Sequence, residues 1–171
     1  AEPVTTGAKV ALLSSGSSNP SLTGISPYFT RNYPSDATQG VVLAGIAVDK
    51  GWKKVAVIQE QTDYSLGNVQ AFDARLKELG GSIVKEEFPT GASDFRSSIT
   101  KLRGEKPDAL FVSTQTGAAA GRIFKQIEES GWKPPLFVVD TIISDPTTIG
   151  EHIALLEGAF GAEFGVDPTN V

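Results

Sequence analysis

Hydroxyl side chains gather in one short stretch near the start of the chain, SSGSSNP at residues 14–20. The stretch follows the apolar residues 10–13, which predict a short buried strand that ends in a loop. Serine hydroxyls and loop N–H groups can donate hydrogen bonds to an anionic group of a small ligand. Ser, Asn and Gly are also ordinary turn residues, so composition alone leaves a plain turn as the alternative.

Three carboxylates stand where apolar runs end, namely Glu60, Asp63 and Asp140. Acid–base catalysis would need two carboxylates with well-separated pKa values, and no other catalytic device accompanies them. Asp140 can instead accept a charge-assisted hydrogen bond from a ligand ammonium group, or cap its own loop. Tyr64 can cover a ligand or pack on the loop that carries it. The residues alone leave both pairs of alternatives open.

The sequence lacks the common motifs for catalysis, phosphate binding and metal binding. The chain has no cysteine, no GxxxxGK[ST] phosphate loop, no GxGxxG after a strand and no GxSxG. The single histidine, His152, is expected to be an exposed residue of a helix, and no ligand spacing indicates a metal. Net charge is -5 and no basic cluster exceeds Lys53-Lys54, which argues against nucleic acid. We therefore expect a protein that is not an enzyme and needs no cofactor.

Strand and helix patterns alternate along the 171 residues. The predicted strands after the first are residues 54–58, 82–88, 109–112, 136–139 and 159–164. Residues 82–88 are the most polar of these, so we place them near a sheet edge. The alternation predicts an α/β fold with a three-layer, doubly wound, mostly parallel sheet and helices on both faces.

Helix signals stand between these strands. Asp36 with Gln39 three residues later resembles a capping box at the start of one helix. Asp145 followed by Pro146 is a typical helix start, and residues 149–153 are expected to continue that helix.

The loops at the two ends of the predicted sheet differ in composition. Residues 59–65, 113–117 and 140–144 follow strands and are polar and rich in hydroxyls, like the opening loop. The loops at the other end are plain Gly, Pro and Lys turns. Ligands bind beyond the carboxyl ends of strands in open α/β sheets, so this asymmetry predicts a ligand site there.

Four segments of the sequence, taken together, are informative: SSGSSNPSLT, YFTRNYPSDATQGVVLA, KKVAVIQEQTDYSLGNVQAF and FPTGASDFRSSITKLRGEKPDALFV. They closely resemble the type I periplasmic substrate-binding proteins of ABC transporters, in the branched-chain amino acid (Leu/Ile/Val) branch. The resemblance implies a flavodoxin-like (Rossmann-like) lobe of a two-lobed protein that clamps its ligand by hinge closure. By this resemblance, residues 1–27 match the end of the first lobe and the hinge crossing. Residues 28–171 match the second lobe, with a return hinge strand near 159–166.

The resemblance also implies a set of ligand-binding residues: Ser17, Ser18, Tyr64, Gln115, Thr116, Asp140 and Thr141. The serines match a loop that binds the ligand's carboxylate and ammonium groups, and Tyr64 matches an aromatic that approaches from the second lobe.

Two positions of this set need comment. Gln115 and Thr116 stand where close relatives often have an aromatic, which weakens the expectation of an aliphatic ligand side chain. The residue that takes the ammonium falls at Asp140 or one place later at Thr141, and we favour Asp140.

The implied function is an extracytoplasmic solute-binding component that captures an amino acid or a related small carboxylate. Its implied partner is an ABC transporter permease, in the periplasm or lipid-anchored at a Gram-positive cell surface. The alternatives are a ligand-sensing domain of the same fold in a receptor or transcriptional regulator, and a flavodoxin-like enzyme. Because the chain has no Met and matches mainly one lobe, we expect a fragment that binds weakly alone and that can self-associate.

Overall fold

The computed structural model describes residues 2–164. Seven strands form two sheets in this part of the chain. The strands are β1 (Leu12–Ser14), β2 (Phe29–Arg31), β3 (Lys54–Glu60), β4 (Ser82–Phe88), β5 (Ala109–Ser113), β6 (Leu136–Val138) and β7 (Phe160–Gly161).

A five-stranded sheet in the order β4-β3-β5-β6-β7 is the centre of the fold, and every neighbouring pair in it is parallel. Strands β3, β5 and β6 are buried almost throughout, as expected for parallel strands covered on both faces. The more polar β4 lies at one edge, which confirms its expected position. The α/β fold with a parallel sheet is thus confirmed.

Eight α-helices and one 3₁₀ turn connect the described strands. They are α1 (Glu2–Gly7), the 3₁₀ turn Pro20–Leu22, α2 (Asp36–Asp49), α3 (Asp63–Glu78), α4 (Arg96–Gly104), α5 (Gly117–Glu129), α6 (Asp140–Ile143), α7 (Pro146–Glu151) and α8 (Ile153–Leu156). No helix within residues 2–164 has the length and apolar character needed to cross a bilayer.

The helices form two groups, one for each face of the sheet. The α3 crossover moves from β3 outward to β4, whereas the α4 and α5 crossovers move in the opposite direction across the sheet. Right-handed crossovers therefore place α3 on one face and α4 and α5 on the other. Helix α2 packs along α3, and α7 packs along α5, so each joins one group.

Aromatic side chains join the α2–α3 layer to the sheet. Phe72 of α3 lies 5.0 Å from Phe111 and 5.8 Å from Phe137, measured between ring centroids. Trp52, which follows α2, meets the same Phe137 at 5.5 Å. These buried contacts fix α3 over the sheet, and the first turn of α3 carries Tyr64 of the predicted site.

The opening strand differs from its prediction. Strand β1 begins at Leu12 rather than Val10, and it pairs with β2 in a separate two-stranded parallel sheet. Leu13 is 65% exposed and Val10 is 54% exposed, so the expectation of a buried strand is wrong. An apolar run indicates burial only where another layer covers it, and no described residue covers these two side chains.

Several predicted boundaries also shift. Residues 59 and 60 extend β3, so the loop expected at 59–65 shortens to Gln61 and Thr62. The loop expected at 140–144 is largely the short helix α6. The last strand contains residues 160–161 rather than 159–164, and β6 ends at 138. Strand ends were underestimated or overestimated because pairing with a neighbour, not composition, decides where a strand stops.

Two helix predictions need correction as well. Ser35 is the N-cap of α2 through its side chain, and Asp36 is the first helical residue, which is fully buried. The helix expected to continue to residue 153 is interrupted at His152, between α7 and α8. Asp145 does cap α7, with Pro146 at its first helical position, as predicted.

His152 is buried rather than exposed, which corrects the expectation for the single histidine. It is 7% exposed, its Nδ1 lies 2.9 Å from Glu128 Oε2, and its ring contacts Phe124 edge-on. Both partners belong to α5. The packing of α7 against α5 buries the ring, and that packing has no signal in the local sequence.

Candidate functional site

The hydroxyl-rich loop after β1 is folded by its own side chains. Ser14 Oγ donates to Ser17 Oγ at 2.7 Å and accepts from Ser17 N–H at 3.0 Å. The carbonyl of Ser18 accepts from the N–H of Asp36 at 3.0 Å, which ties the loop to the start of α2. Asn19 then caps the 3₁₀ turn, because its side-chain oxygen accepts from Ser21 N–H. We call residues 14–19 the serine loop.

Arg31 on β2 holds the serine loop through hydrogen bonds to its backbone. Its guanidinium donates to the carbonyls of Ser17 at 3.3 Å and Asn19 at 2.8 Å, and to Thr23 Oγ1 at 2.7 Å. Both carbonyls thereby have a charged donor, which restrains the backbone of the loop. Sequence reasoning quoted Arg31 only as part of a family motif and gave it no role.

The serine loop meets α3 at a glycine. Asn19 Nδ2 donates to the carbonyl of Asp63, and a Cβ at Gly67 would lie 2.8 Å from Cδ of Pro20. Only a residue without a side chain lets the 3₁₀ turn approach α3 this closely. The loop and the start of α3 therefore form two walls of one cleft.

A cavity of about 480 Å³ lies in this cleft. Four of the predicted residues line it, namely Ser17, Ser18, Tyr64 and Gln115. The other lining residues are Gly16, Asn19, Ser21, Leu22, Asp63, Leu66 and Gln70. The structure therefore brings the serine loop together with Tyr64 and Gln115, although Thr116, Asp140 and Thr141 do not line this cavity.

Asp140 lies directly behind Tyr64. The Tyr64 hydroxyl donates to Asp140 Oδ1, and the Tyr33 hydroxyl donates to Oδ2 at 3.3 Å. The N–H of Thr141 also donates to Oδ1 at 2.9 Å, and the Asp140 side chain is 7% exposed. Burial, followed by the interaction with Asp140, raises the pKa of both tyrosines, so both remain hydroxyl donors. Asp140 is thus a buried acceptor at the carboxyl end of β6.

Asp36 is a second buried carboxylate beside this group. Burial is the main cause that raises the pKa of Asp36 from 3.8 to about 6, and the charge of Asp140 adds to it. Interactions with Ser18, Arg31 and Asn68 lower that pKa but do not compensate. The capping-box interpretation did not anticipate the burial of Asp36, because that burial depends on contact between the start of α2 and the serine loop.

The two threonines of the predicted set stabilise their own loops. Thr116 caps α5, since its hydroxyl accepts from Ala119 N–H at 3.2 Å. The hydroxyl of Thr141 donates to the carbonyl of Thr114 at 2.8 Å, which joins the loops after β5 and β6. Within residues 2–164, no group of three His, Cys, Asp or Glu side chains could hold a metal ion.

Comparison with known proteins places this geometry in a family. A profile described as periplasmic binding protein matches residues 1–168. A Leu/Ile/Val-binding protein homologue of Brucella suis is 30% identical over 162 residues, covering 92% of this chain and 43% of the relative.

Solved structures show the same fold. The leucine-binding protein LivK of Thermotoga maritima matches 97% of this chain and 49% of its own length, with a TM-score of 0.84 and 25% identity. A solute-binding protein of R. palustris in complex with 4-hydroxybenzoate matches 89% of this chain and 42% of its own length, with a TM-score of 0.77 and 23% identity. The chain spans less than half the length of these relatives. By fold, cleft and sequence, the chain belongs to the periplasmic binding protein family.

Proposed function

We propose that this chain forms one side of the ligand cleft of an extracytoplasmic solute-binding protein of an ABC transporter, and that the ligand is an amino acid. The observation that carries the proposal is the buried carboxylate of Asp140, which accepts a hydrogen bond from Tyr64, a residue that lines the cavity together with the serine loop. An amino acid zwitterion needs an acceptor for its ammonium and donors for its carboxylate, both away from water.

Electrostatics favours a ligand that carries a positive charge. Asp36 and Asp140 are both buried, and the guanidinium of Arg31 already donates to two carbonyls and a hydroxyl. A carboxylate ligand without an ammonium group, such as a hydroxybenzoate, would add a third negative charge to this region. An ammonium group would instead offset the two buried carboxylates.

Each candidate residue then has a role. Ser17 and Ser18 bind the ligand carboxylate with their hydroxyl groups, since the N–H of Ser17 already donates to Ser14 Oγ. Tyr64 covers the ligand, and its hydroxyl donates to Asp140. Thr116 and Thr141 shape the loops that carry Gln115 and Asp140.

The rest of the cleft comes from residues outside this sequence. In this proposal residues 1–27 are the end of a first lobe and the hinge crossing, and residues 28–171 are the second lobe. Only residues 2–164 of this range are described, so the return hinge strand expected near 159–166 lies partly outside them. The two-stranded sheet joins β1 and β2 across the boundary at residue 27, as a hinge crossing would. Delivery of the ligand to a membrane permease from an extracytoplasmic location completes the proposal.

Calorimetry on the gene product that carries this sequence tests the function. We expect amino acids with a free ammonium group to bind, and their N-acetyl derivatives and 4-hydroxybenzoate not to bind. Asp140→Asn should weaken binding by about 10- to 100-fold, the usual cost of a lost charge-assisted hydrogen bond. Asp94→Asn, which removes an exposed carboxylate, is the matched control. Binding of 4-hydroxybenzoate in place of every amino acid would refute the proposal.

A further inference from the structure

On one side of the cleft, several hydrogen bonds hold the backbone around Gln115 in place. The N–H of Gln115 donates to Oε2 of Glu60 at 2.7 Å, and Glu60 is 3% exposed. On either side, the hydroxyl of Thr114 donates to the carbonyl of Thr116 at 2.9 Å, and Thr141 Oγ1 donates to the carbonyl of Thr114. These hydrogen bonds restrain the backbone around Gln115 in the absence of a ligand.

The side chain of Gln115 has no such partners. It is exposed and lines the cavity, and its carboxamide makes no hydrogen bond to any residue between 2 and 164. Gln70 on α3 lines the same cavity, is also exposed, and likewise has no partner for its carboxamide within that range. Two unpaired amides from separate elements thus face one space, which a closed cleft would remove from water.

The remaining surface of this cavity is mixed. Side chains that can form hydrogen bonds come from both sides of it, in addition to the two glutamines: Ser17, Ser18, Asn19, Ser21, Asp63 and Tyr64. Leu22 and Leu66 are its only aliphatic lining residues within the described chain. A branched aliphatic ligand side chain would desolvate the two amides and return no hydrogen bond to them.

We propose that Gln115 is a specificity-determining residue that selects amino acids whose side chains end in a hydrogen-bonding group, an amide or a hydroxyl. This inference rests on the proposed function and narrows it. A carboxamide offers both a donor and an acceptor, so Gln115 pairs with either kind of group on the ligand. Gln70 serves the same polar end from α3.

Isosteric ligands give the sharpest test, because they differ in polarity and hardly in shape. Asparagine and leucine form one pair, and threonine and valine form the other. Calorimetry on the gene product that carries this sequence should show asparagine binding at least about tenfold more tightly than leucine, since unpaired buried polar groups are penalised. Threonine should be preferred over valine in the same sense.

Variants then assign the preference to one residue. Gln115→Leu should reverse the asparagine-to-leucine ratio, whereas Gln61→Leu should leave it unchanged. Gln61 is an exposed glutamine between β3 and α3 that does not line this cavity. A melting curve of each variant checks folding, and the wild-type ratios decide the proposal even if one variant fails to fold.

The binding results distinguish the specificity proposal from the proposed amino acid function. Leucine and valine binding as tightly as their polar isosteres would overturn the specificity proposal and leave the amino acid function intact. Failure of these four and of every other amino acid to bind, with a solute that has no ammonium group bound instead, would overturn the function itself.

Discussion

The two walls of the cleft come from regions that differ in how their apolar side chains are placed. The wall with Tyr64 and Gln115 is carried by the five-stranded sheet, in which Phe72, Phe111 and Phe137 are fully buried. The serine loop is carried by the two-stranded sheet, where Leu13 is 65% exposed, and Val4 of the preceding helix α1 is 75% exposed. One wall therefore has its own hydrophobic core, and the other is held within the described chain mainly by a few polar contacts.

This difference shows that a cleft can have its shape although one of its walls is only weakly stabilised. Arg31, Asn19 and the close contact at Gly67 hold the serine loop where a ligand would meet it. They do so with a handful of hydrogen bonds, each of which contributes only about 1 kcal/mol net. We therefore expect the loop to open locally at a lower free energy than the sheet.

The largest effect should come from the core of the five-stranded sheet. Phe72→Ala removes a fully buried ring that contacts Phe111 and Phe137, and should lower the free energy of unfolding by about 3–5 kcal/mol. Leu13→Ala removes an exposed side chain and should change it by less than about 0.5 kcal/mol. Urea denaturation measures both. Equal losses would mean that the two regions are not energetically distinct in this chain.

The next largest effect concerns the buried charge of Asp36 and the pH dependence of stability. The pKa of Asp36 is about 6 in the folded protein against an ordinary value of 3.8, so folding disfavours its charged form. The penalty is absent below about pH 4, grows between pH 4 and 6 and is complete above that, where it is on the order of 2–3 kcal/mol.

Replacing Asp36 should therefore help most at high pH. We expect Asp36→Asn to raise the melting temperature relative to wild type at pH 8 and to change it little at pH 4. Asp49→Asn changes an exposed carboxylate on the same helix and should show no such dependence on pH. Thermal melts across this range check the sign, and a gain that is greatest at pH 4 would contradict it.

A smaller effect is expected where the two walls touch. Gly67→Ala adds a methyl that would approach Pro20 to 2.8 Å, so the 3₁₀ turn must move away from α3. Alanine favours the helix, and the sheet should keep its stability within about 1 kcal/mol. Amide hydrogen exchange at residues 17–22 should become faster.

Gly45→Ala provides the control for this substitution. A Cβ at Gly45 on α2 would meet nothing within 4 Å, so this variant changes helix propensity alone. If exchange in residues 17–22 rises equally in both variants, the contact at Gly67 does not hold the loop.

The smallest effect on global stability should come from Arg31. Arg31→Gln removes the donors to Ser17 and Asn19, and should speed amide exchange in the serine loop several-fold with a change of about 1 kcal/mol or less in unfolding free energy. Arg103→Gln removes a similar bond to the carbonyl of Ser130, remote from the loop, and should leave that exchange unchanged. A loop that stays equally protected in Arg31→Gln would show that Arg31 is not its support.

Sequence reasoning found the parallel sheet because buried parallel strands leave a clear mark. The runs at 54–58 and 109–112 are almost wholly apolar, and that pattern is typical of strands covered on both faces. It placed the site at the carboxyl ends of strands for a topological reason that holds for all such sheets. Ser17, Ser18, Tyr64 and Gln115 do share one cavity, although their roles as ligand contacts stay predictions.

It could not find what long-range packing decides. His152 and Asp36 are polar residues in ordinary helical surroundings, and each is buried by an element distant in the sequence. The exposure of Leu13 is the reverse case, since an apolar residue lacks the layer that its pattern anticipates.

The sequence by itself therefore determined the alternation of strands and helices from α2 to β6, the buried character of the central strands, and the end of the sheet where polar loops meet. These follow from periodicity and from turn chemistry, which act over a few residues. Only the tertiary structure decided that Tyr64 and Tyr33 donate to Asp140, that Glu60 holds Gln115, and that Arg31 supports the serine loop. Such contacts join residues from 12 to 107 positions apart, and their free energy depends on burial that no local pattern encodes.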